Sequence, residues 1–225
     1  MSTYRIFLDT ADADEIKDAV STGLIDGIAT NSQKIAQSGK SYQEVIEEIR
    51  RHFDGPIAVQ SVGQTTEEIC RRARELNQMD DLLAVKVTAN KAGLAAVKIM
   101  VSEGIKTNAT LIFNPTQGLL ATLAGAQFLS PFIGRARMAG YDGVETIRRI
   151  RQLLNAFDLK TNLIAASIKD VEQVIDVIVA GADSVAVPFH VFDAMCEHPM
   201  TDKGLEDFME NDRKIPRERP VEVEA

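Results

Sequence analysis

The chain has 225 residues, 45% of them hydrophobic, with 25 Lys and Arg against 33 Asp and Glu for a formal net charge of −8. That content suits one domain of ordinary size with a real core. An acidic balance excludes a protein built to sit on phosphate backbones or anionic lipid, since each needs a basic surface. No stretch at the start reads as a signal peptide and none is long and apolar enough to span a bilayer, so a soluble, cytoplasmic protein without nucleic-acid or membrane partners is expected.

Short runs rich in Val, Ile, Leu and Ala alternate with segments of helical period from Arg5 almost to the end. The predicted strands are 5–9, 27–31, 57–62, 82–88, 106–113, 128–133, 162–168 and 184–188. Between them lie amphipathic stretches, such as Tyr42, Val45, Ile46, Ile49 and Phe53, or Val171, Val174, Ile175 and Ile178, each putting an apolar stripe on one helix face. Eight βα units in about 200 residues approach the lower size limit of a closed (β/α)8 TIM barrel. An open doubly wound sheet is the alternative, but the chain has no Gly-rich dinucleotide fingerprint after a strand and no P-loop. The expected division is a barrel catalytic domain over 1–199 and a C-terminal helix and tail over 200–225. That helix is charged, runs from 201 to about 214 and lies across the barrel or docks on a neighbouring subunit. The final ten or so residues should fray.

Cys70 and Cys196 stand far apart within predicted helices and read as buried or half-buried thiols. His52, His190 and His198 share no ligand spacing, so no metal site is expected.

Strands of an all-parallel barrel are covered on both faces and should be unbroken apolar runs, so each polar interruption needs a reason. Here polar residues collect within and at the C-terminal ends of the runs: Asp9, Asn31, Gln60, Asn108, Thr110, Ser130 and Ser167. All are expected on one rim, where sites of this fold are built. Taken singly, Asp9 could cap the helix beginning near Asp12, Asn31 could hold a turn and Ser167 could cap the helix at Asp170. Jointly they describe a polar pocket.

The sharpest feature is Lys86 in Leu82-Leu83-Ala84-Val85-Lys86-Val87. For one lysine in a strand, the ordinary expectation is an outward side chain that snorkels to water beside an acid. Its polar company points the other way. Alternation puts Ala84, Lys86 and Thr88 on one face, and an inward ammonium would be desolvated and drawn toward the neutral, nucleophilic amine. Such an amine with a carboxylate and hydroxyls suits imine formation with a ketone, which makes the nitrogen an electron sink for cleaving or forming the adjacent carbon–carbon bond. Asp9 would move protons, and Gln60 and Thr110 could hold a water. Asn31, Asn108 and Ser130 could bind substrate hydroxyls. Arg135, with Arg137 nearby, and Ser167 with Lys169 follow the sixth and seventh strands, where such barrels often hold an anion. Solvated surface charge is the simpler account of Arg137.

The runs Phe7-Leu8-Asp9-Thr10, Gly27-Ile28-Ala29-Thr30-Asn31, Ala84-Val85-Lys86-Val87, Thr107-Asn108-Ala109-Thr110-Leu111, Ser130-Pro131-Phe132-Ile133-Gly134-Arg135 and Ala166-Ser167-Ile168-Lys169 resemble the transaldolase family. In length the chain resembles its short subgroup, which includes fructose-6-phosphate aldolase. The resemblance implies a cofactor-free barrel, a Schiff base on Lys86 and transfer of a dihydroxyacetone unit from an anionic ketose to an aldehyde. It matches Asp9 to the acid/base carboxylate, Asn31, Asn108 and Ser130 to the dihydroxyacetone grip, and Arg135 and Ser167 to the phosphate grip. Phe132 and Lys169 stand at further substrate-binding positions. The small-molecule partner is a sugar phosphate or similar anionic sugar, and short members are commonly pentamers or decamers with exchanged C-terminal helices.

The departures concern the rim. Transaldolases usually carry Glu where Gln60 stands, and Gln resembles fructose-6-phosphate aldolase; that aldolase has Tyr where Phe132 stands, and Phe resembles a transaldolase. The usual Thr-Thr-Asn-Pro-Ser is Ala29-Thr30-Asn31-Ser32-Gln33, Val-Lys-Val-Pro ends in Thr88, Leu-Asp-Asp after Arg135 is Ala136-Arg137-Met138, and the seventh-strand Arg is Lys169. A more positive anion end suggests an unusual substrate such as a sulfonated fructose. The alternative is a lyase releasing free dihydroxyacetone. A barrel that merely binds a sugar anion is a third account, against which the presence of Lys86 and Asp9 speaks.

Overall fold

In the computed structural model, which describes residues 4–216, capping chemistry marks where helices begin. Ser41 with Glu44, Thr65 with Glu68 and Asn114 with Gln117 form reciprocal capping boxes that open α3 (Tyr42–Arg50), α4 (Thr66–Asn77) and α6 (Pro115–Leu123). Each satisfies two backbone N–H groups that the first turn leaves free. Asp12, Asn31, Asn90, Asp142 and Asp170 cap α1 (Ala13–Ser21), α2 (Ser32–Ser38), α5 (Lys91–Ser102), α8 (Gly143–Ala156) and α9 (Val171–Val179). Shorter α7 (Ile133–Met138) and α10 (Phe189–Cys196) have no side-chain cap bond.

These helices wrap eight parallel strands: β1 (Arg5–Asp9), β2 (Gly27–Ala29), β3 (Ile57–Gln60), β4 (Leu83–Thr88), β5 (Thr107–Ile112), β6 (Phe128–Pro131), β7 (Asn162–Ala165) and β8 (Ser184–Val187). Each pairs with the next and β8 pairs with β1, closing the barrel. The expected (β/α)8 class is the observed one, and every predicted strand is present. Several end sooner than the apolar run does, because the chain turns into the rim at Asn31, Ser61 and Ala166.

Closure divides the apolar side chains into two sets. Leu8, Val59, Val85, Val87 and Leu129, all fully buried, face the helix layer and join Ile16, Ile49, Leu76 and Ile147 in the main core. Inside the barrel a smaller cluster of Phe7, Ala29, Ala58, Ile164, Ala166 and Ala186 packs with Phe128 and Phe132. Its alanines are small because larger residues would fill the space above, where the polar inward residues lie. At the floor Phe7 stands level with Gly27.

Three expectations are corrected. On α9 the buried residues are Gln173, Val174 and Val177, whereas Ile175 is 58% exposed and Ile178 is also exposed; the amide of Gln173 turns inward to accept from the Lys169 N–H. Cys70 is buried as expected, but Cys196 is exposed at the end of α10. The last helix, α11, runs Pro199–Asp212, starting two residues earlier than predicted because His198 Nδ1 accepts from the Met200 N–H and Pro199 suits the first turn. It buries none of its residues. The tail expected to fray lies at 217–225, outside the described residues. Among those described, no helix is long and apolar enough to cross a membrane.

A Cβ added to Gly27 would lie 2.2 Å from Cε1 of Phe7. The Gly27→Ala variant should therefore lose about 1–3 kcal/mol of stability in urea unfolding, as overpacked cores do. Adding Phe7→Leu should recover part of the loss; if Gly27→Ala alone unfolds like the parent, the interior is looser than described.

Candidate active site

At the C-terminal ends of the strands lies a cavity of about 500 Å³, lined by Asp9, Asn31, Gln60, Lys86, Phe132, Arg135, Ser167 and Lys169 among others. Lys86 defines it. The parallel register sets Lys86 level with Gln60 on β3 and Asn108 on β5, all inward. The lysine is only 6% exposed, and its Nζ donates to the carbonyl oxygen of Thr30 at 3.1 Å. Burial pushes its affinity for a proton well down; the Asp9 carboxylate opposes this and the Lys34 ammonium reinforces it.

Asp9 ends β1 on the same inward face, and its Oδ1 is buried without a hydrogen-bond partner among the described residues. A buried carboxylate oxygen left unbonded is costly unless a ligand or water meets it. Asp9 is not the cap of α1; Asp12 is, accepting from Asp14 and Glu15. Asn31 caps α2, taking the Gln33 and Lys34 N–H groups on Oδ1 at 3.0 and 3.1 Å. Gln60 donates from Nε2 to the carbonyl oxygens of Ser61 at 3.2 Å and Lys86 at 3.3 Å, which leaves Oε1 as its free acceptor.

Three expected rim residues lie elsewhere. Asn108, Thr110 and Ser130 are buried inside the barrel and do not line the cavity. Ser130 donates to Asn108 Oδ1 at 2.8 Å, so the two satisfy each other, while the Thr110 hydroxyl is buried without a partner. The β5 residue on the cavity wall is instead Leu111, held at φ 57 where the register to β6 shifts.

The far side of the cavity is tied together by backbone. Gly134 N–H donates to Ser167 O at 2.9 Å and Arg135 N–H to Ser167 Oγ at 3.3 Å. Ser167 sits at φ 60, a left-handed conformation that a non-glycine residue adopts at some cost. It does not cap α9; Asp170 does. A Cβ on Gly134 would lie 2.3 Å from Ser167 O, so only glycine allows this approach. The Arg135 guanidinium stacks 5.1 Å from the Phe132 ring centroid, which in turn meets Phe113 edge to face. Lys169 and Arg135 are exposed at the mouth. Arg137 is 74% exposed and 3.6 Å from Asp170, a surface pair.

The sequence that builds this site matches a known family. The model described as Transaldolase/Fructose-6-phosphate aldolase matches residues 6–221. The chain belongs to that family. It is 40% identical over 213 residues to a protein of Dictyoglomus turgidum named "Probable transaldolase", covering 95% of this chain and 100% of that one. A Thermoplasma acidophilum protein of the same name is 42% identical, with 94% and 96% covered. Among solved structures, thiamine phosphate pyrophosphorylase from Pyrococcus furiosus superposes with a TM-score of 0.54 at 16% identity, over 83% of this chain and 86% of its own, a likeness of barrel alone.

In this transaldolase-family chain, cavity residues that sequence reasoning missed are Glu15, Lys34, Gln37, Leu111 and His190. Glu15, whose carboxylate accepts the Thr10 hydroxyl, and Lys34 sit in first turns of rim helices. Their signal was position: a first-turn residue just after a barrel strand faces the mouth.

Burial makes the Lys86 ammonium a cost to the folded state. Its folded affinity for a proton lies below the ordinary value of 10.5, so between the lowered value and 10.5 the unfolded chain binds more protons and stability rises with pH. Lys86→Met should therefore be more stable than the parent at neutral pH in urea unfolding, with the gap closing toward pH 10.5. A variant less stable at neutral pH would show that the ammonium is well compensated in place.

Proposed function

We propose that this chain is a Schiff-base transaldolase, moving a dihydroxyacetone unit from an anionic ketose to an aldehyde acceptor. The observation that carries this is the Lys86 amine, buried in the cavity with Asp9 acting on its charge. Family membership and relatives named transaldolase support it.

The neutral amine adds its lone pair to the ketose carbonyl, and loss of water leaves an iminium. Asp9 takes the proton from the hydroxyl of the carbon to be released, the adjacent carbon–carbon bond breaks, and its electrons are held as an enamine on Lys86. An acceptor aldehyde reverses the sequence. Water meeting the unbonded oxygen of Asp9 and Oε1 of Gln60 would serve imine formation and hydrolysis. Asn31 is placed to hold substrate hydroxyls from the cavity wall. Asn108, Ser130 and Thr110 act from the buried barrel wall beside it: the first two brace each other next to Lys86, and the unpartnered Thr110 hydroxyl offers a site for a buried water.

Arg135, Ser167 and Lys169 form the anion end, with Phe132 supporting the guanidinium. With Arg135 and Lys169 exposed at the mouth and Arg137 close by, this end suits the phosphate of fructose 6-phosphate or the sulfonate of a 6-sulfonated fructose. Gln60 favours one second reading, a lyase resembling fructose-6-phosphate aldolase, in which water resolves the enamine and frees dihydroxyacetone.

None of the 14 residues of α11 is buried, and Met200, Leu205, Phe208 and Met209 are exposed. A helix of this length needs packing to persist in water, so we assign it to docking on a neighbouring copy in a cytoplasmic homo-oligomer, a pentamer or decamer.

Borohydride reduction in the presence of fructose 6-phosphate or its 6-sulfonated analogue should leave a stable adduct on the peptide bearing Lys86. Lys86→Met should lose at least about a thousandfold in kcat/KM, and Asp9→Asn about a hundred- to ten-thousandfold. Turnover that persists when the acceptor aldehyde is left out selects the lyase. An adduct on any other lysine sinks the mechanism.

A further inference from the structure

The segment that leaves β2 brings a second lysine to the cavity. Lys34 lies in the first turn of α2, with its N–H held by Asn31 Oδ1 at 3.1 Å. The same segment is fastened to the nucleophile, since Thr30 O accepts from Lys86 Nζ at 3.1 Å. The Lys34 side chain is half-buried, lines the cavity that Lys86 faces, and has no ion-pair partner among the described residues. Local structure offers no reason for it. A cation in the first turn opposes the helix dipole, and removing an unpaired ammonium from water has a cost.

Other ionisable groups on the cavity wall are Asp9 on β1, Glu15 on α1, Arg135 on α7, Lys169 after β7 and His190 on α10. Arg135 and Lys169 stand at the exits of β6 and β7, across the barrel from β2. Glu15 is engaged by Thr10. The two charges that act on the Lys86 amine are Asp9, which favours the ammonium, and Lys34, which disfavours it. This exposes a conflict in the site. Asp9 must stand close enough to exchange protons with substrate, yet its negative charge stabilises the protonated, unreactive form of the nucleophile.

We propose that Lys34 is a positioning residue for the Schiff-base step, an unpaired ammonium on α2 whose charge offsets Asp9 and raises the unprotonated fraction of the Lys86 amine in the free enzyme. The inference rests on the imine reading above. Its effect is one proton: the amine releases it to solvent, and the lone pair so freed attacks the ketose carbonyl carbon. A neighbouring cation is a recognised way to activate a lysine nucleophile.

The test is the pH profile of kcat/KM for the parent, Lys34→Met and Lys34→Arg, using the ketose that borohydride traps. For Lys34→Met the acidic limb should move up by about half to one pH unit, about a three- to tenfold loss at any pH on the sloping limb, while the alkaline plateau stays within about twofold. Lys34→Arg should keep the parental profile. A substrate-free measurement, the pH dependence of Lys86 acetylation by acetic anhydride read from its peptide mass, should shift in the same direction. A pH-independent loss in Lys34→Met overturns the proposal in favour of substrate contact, and so does an unshifted profile or an arginine variant that behaves like methionine. If acetylation shifts as stated while no ketose is ever trapped, the imine reading fails and the electrostatic role of Lys34 stands.

Discussion

One amine held out of water sets the terms for the rest of this molecule. Lys86 sits in the middle of β4 in a closed barrel, so its side chain has no route to solvent except through the mouth. An ammonium there is opposed by desolvation, and the structure tolerates the group because the proton can leave. The interior is built around this choice. Alanines at positions 29, 58, 166 and 186 keep the upper barrel open, while Phe7 and Phe128 fill the floor against Gly27. A uniformly large apolar interior would be more stable and would leave no cavity.

The rim shows the same exchange of stability for placement. Of the three non-glycine residues with positive φ among the described residues, Leu111 and Ser167 both line the cavity. Leu111 sits where β5 slips in register against β6, and Ser167 where the chain leaves β7 to meet Gly134. In each case the backbone departs from an easy conformation at the point where a side chain or amide must face the mouth. Ordinary loops elsewhere use glycine for such turns, as at Gly23, Gly39 and Gly104. Strain borne by Ser167 in place of glycine is understandable if its hydroxyl is needed, and that hydroxyl holds the Arg135 N–H in position.

The barrel was legible in the sequence because eight apolar runs separated by helical periods allow few closed arrangements, and Lys86 was legible because a charge within such a run contradicts it. Finer placement depended on contacts that periodicity does not encode. Asn108 and Ser130 read as rim residues from their strands, yet they are buried and bond to each other off the cavity lining. Ile175 fitted the apolar stripe of α9, but the buried amide of Gln173 rotates the helix so that Ile175 faces out. Lys34 carried only the signal of its place: a lone lysine in a helix after a strand is normally solvated, and the closure of the barrel turns that helix start toward the cavity that Lys86 faces.

Charge distribution gives the last step. The chain is acidic as a whole, with a net charge of −8, yet Lys34, Arg135 and Lys169 all face the mouth against Asp9 and Glu15. These cations lie at different strand exits and do different electrostatic work. Arg135 and Lys169, exposed and across the barrel, raise the local concentration of anions and are screened by salt. Lys34, half-buried near the amine, is screened much less. An acidic surface with a basic mouth disfavours other anionic macromolecules while admitting small anions, and the half-buried part of that positive charge disfavours the Lys86 ammonium with no ligand needed. On the proposed reading, recognition and activation are separable in this site, because the cations assigned to them stand at different strand exits of the same barrel.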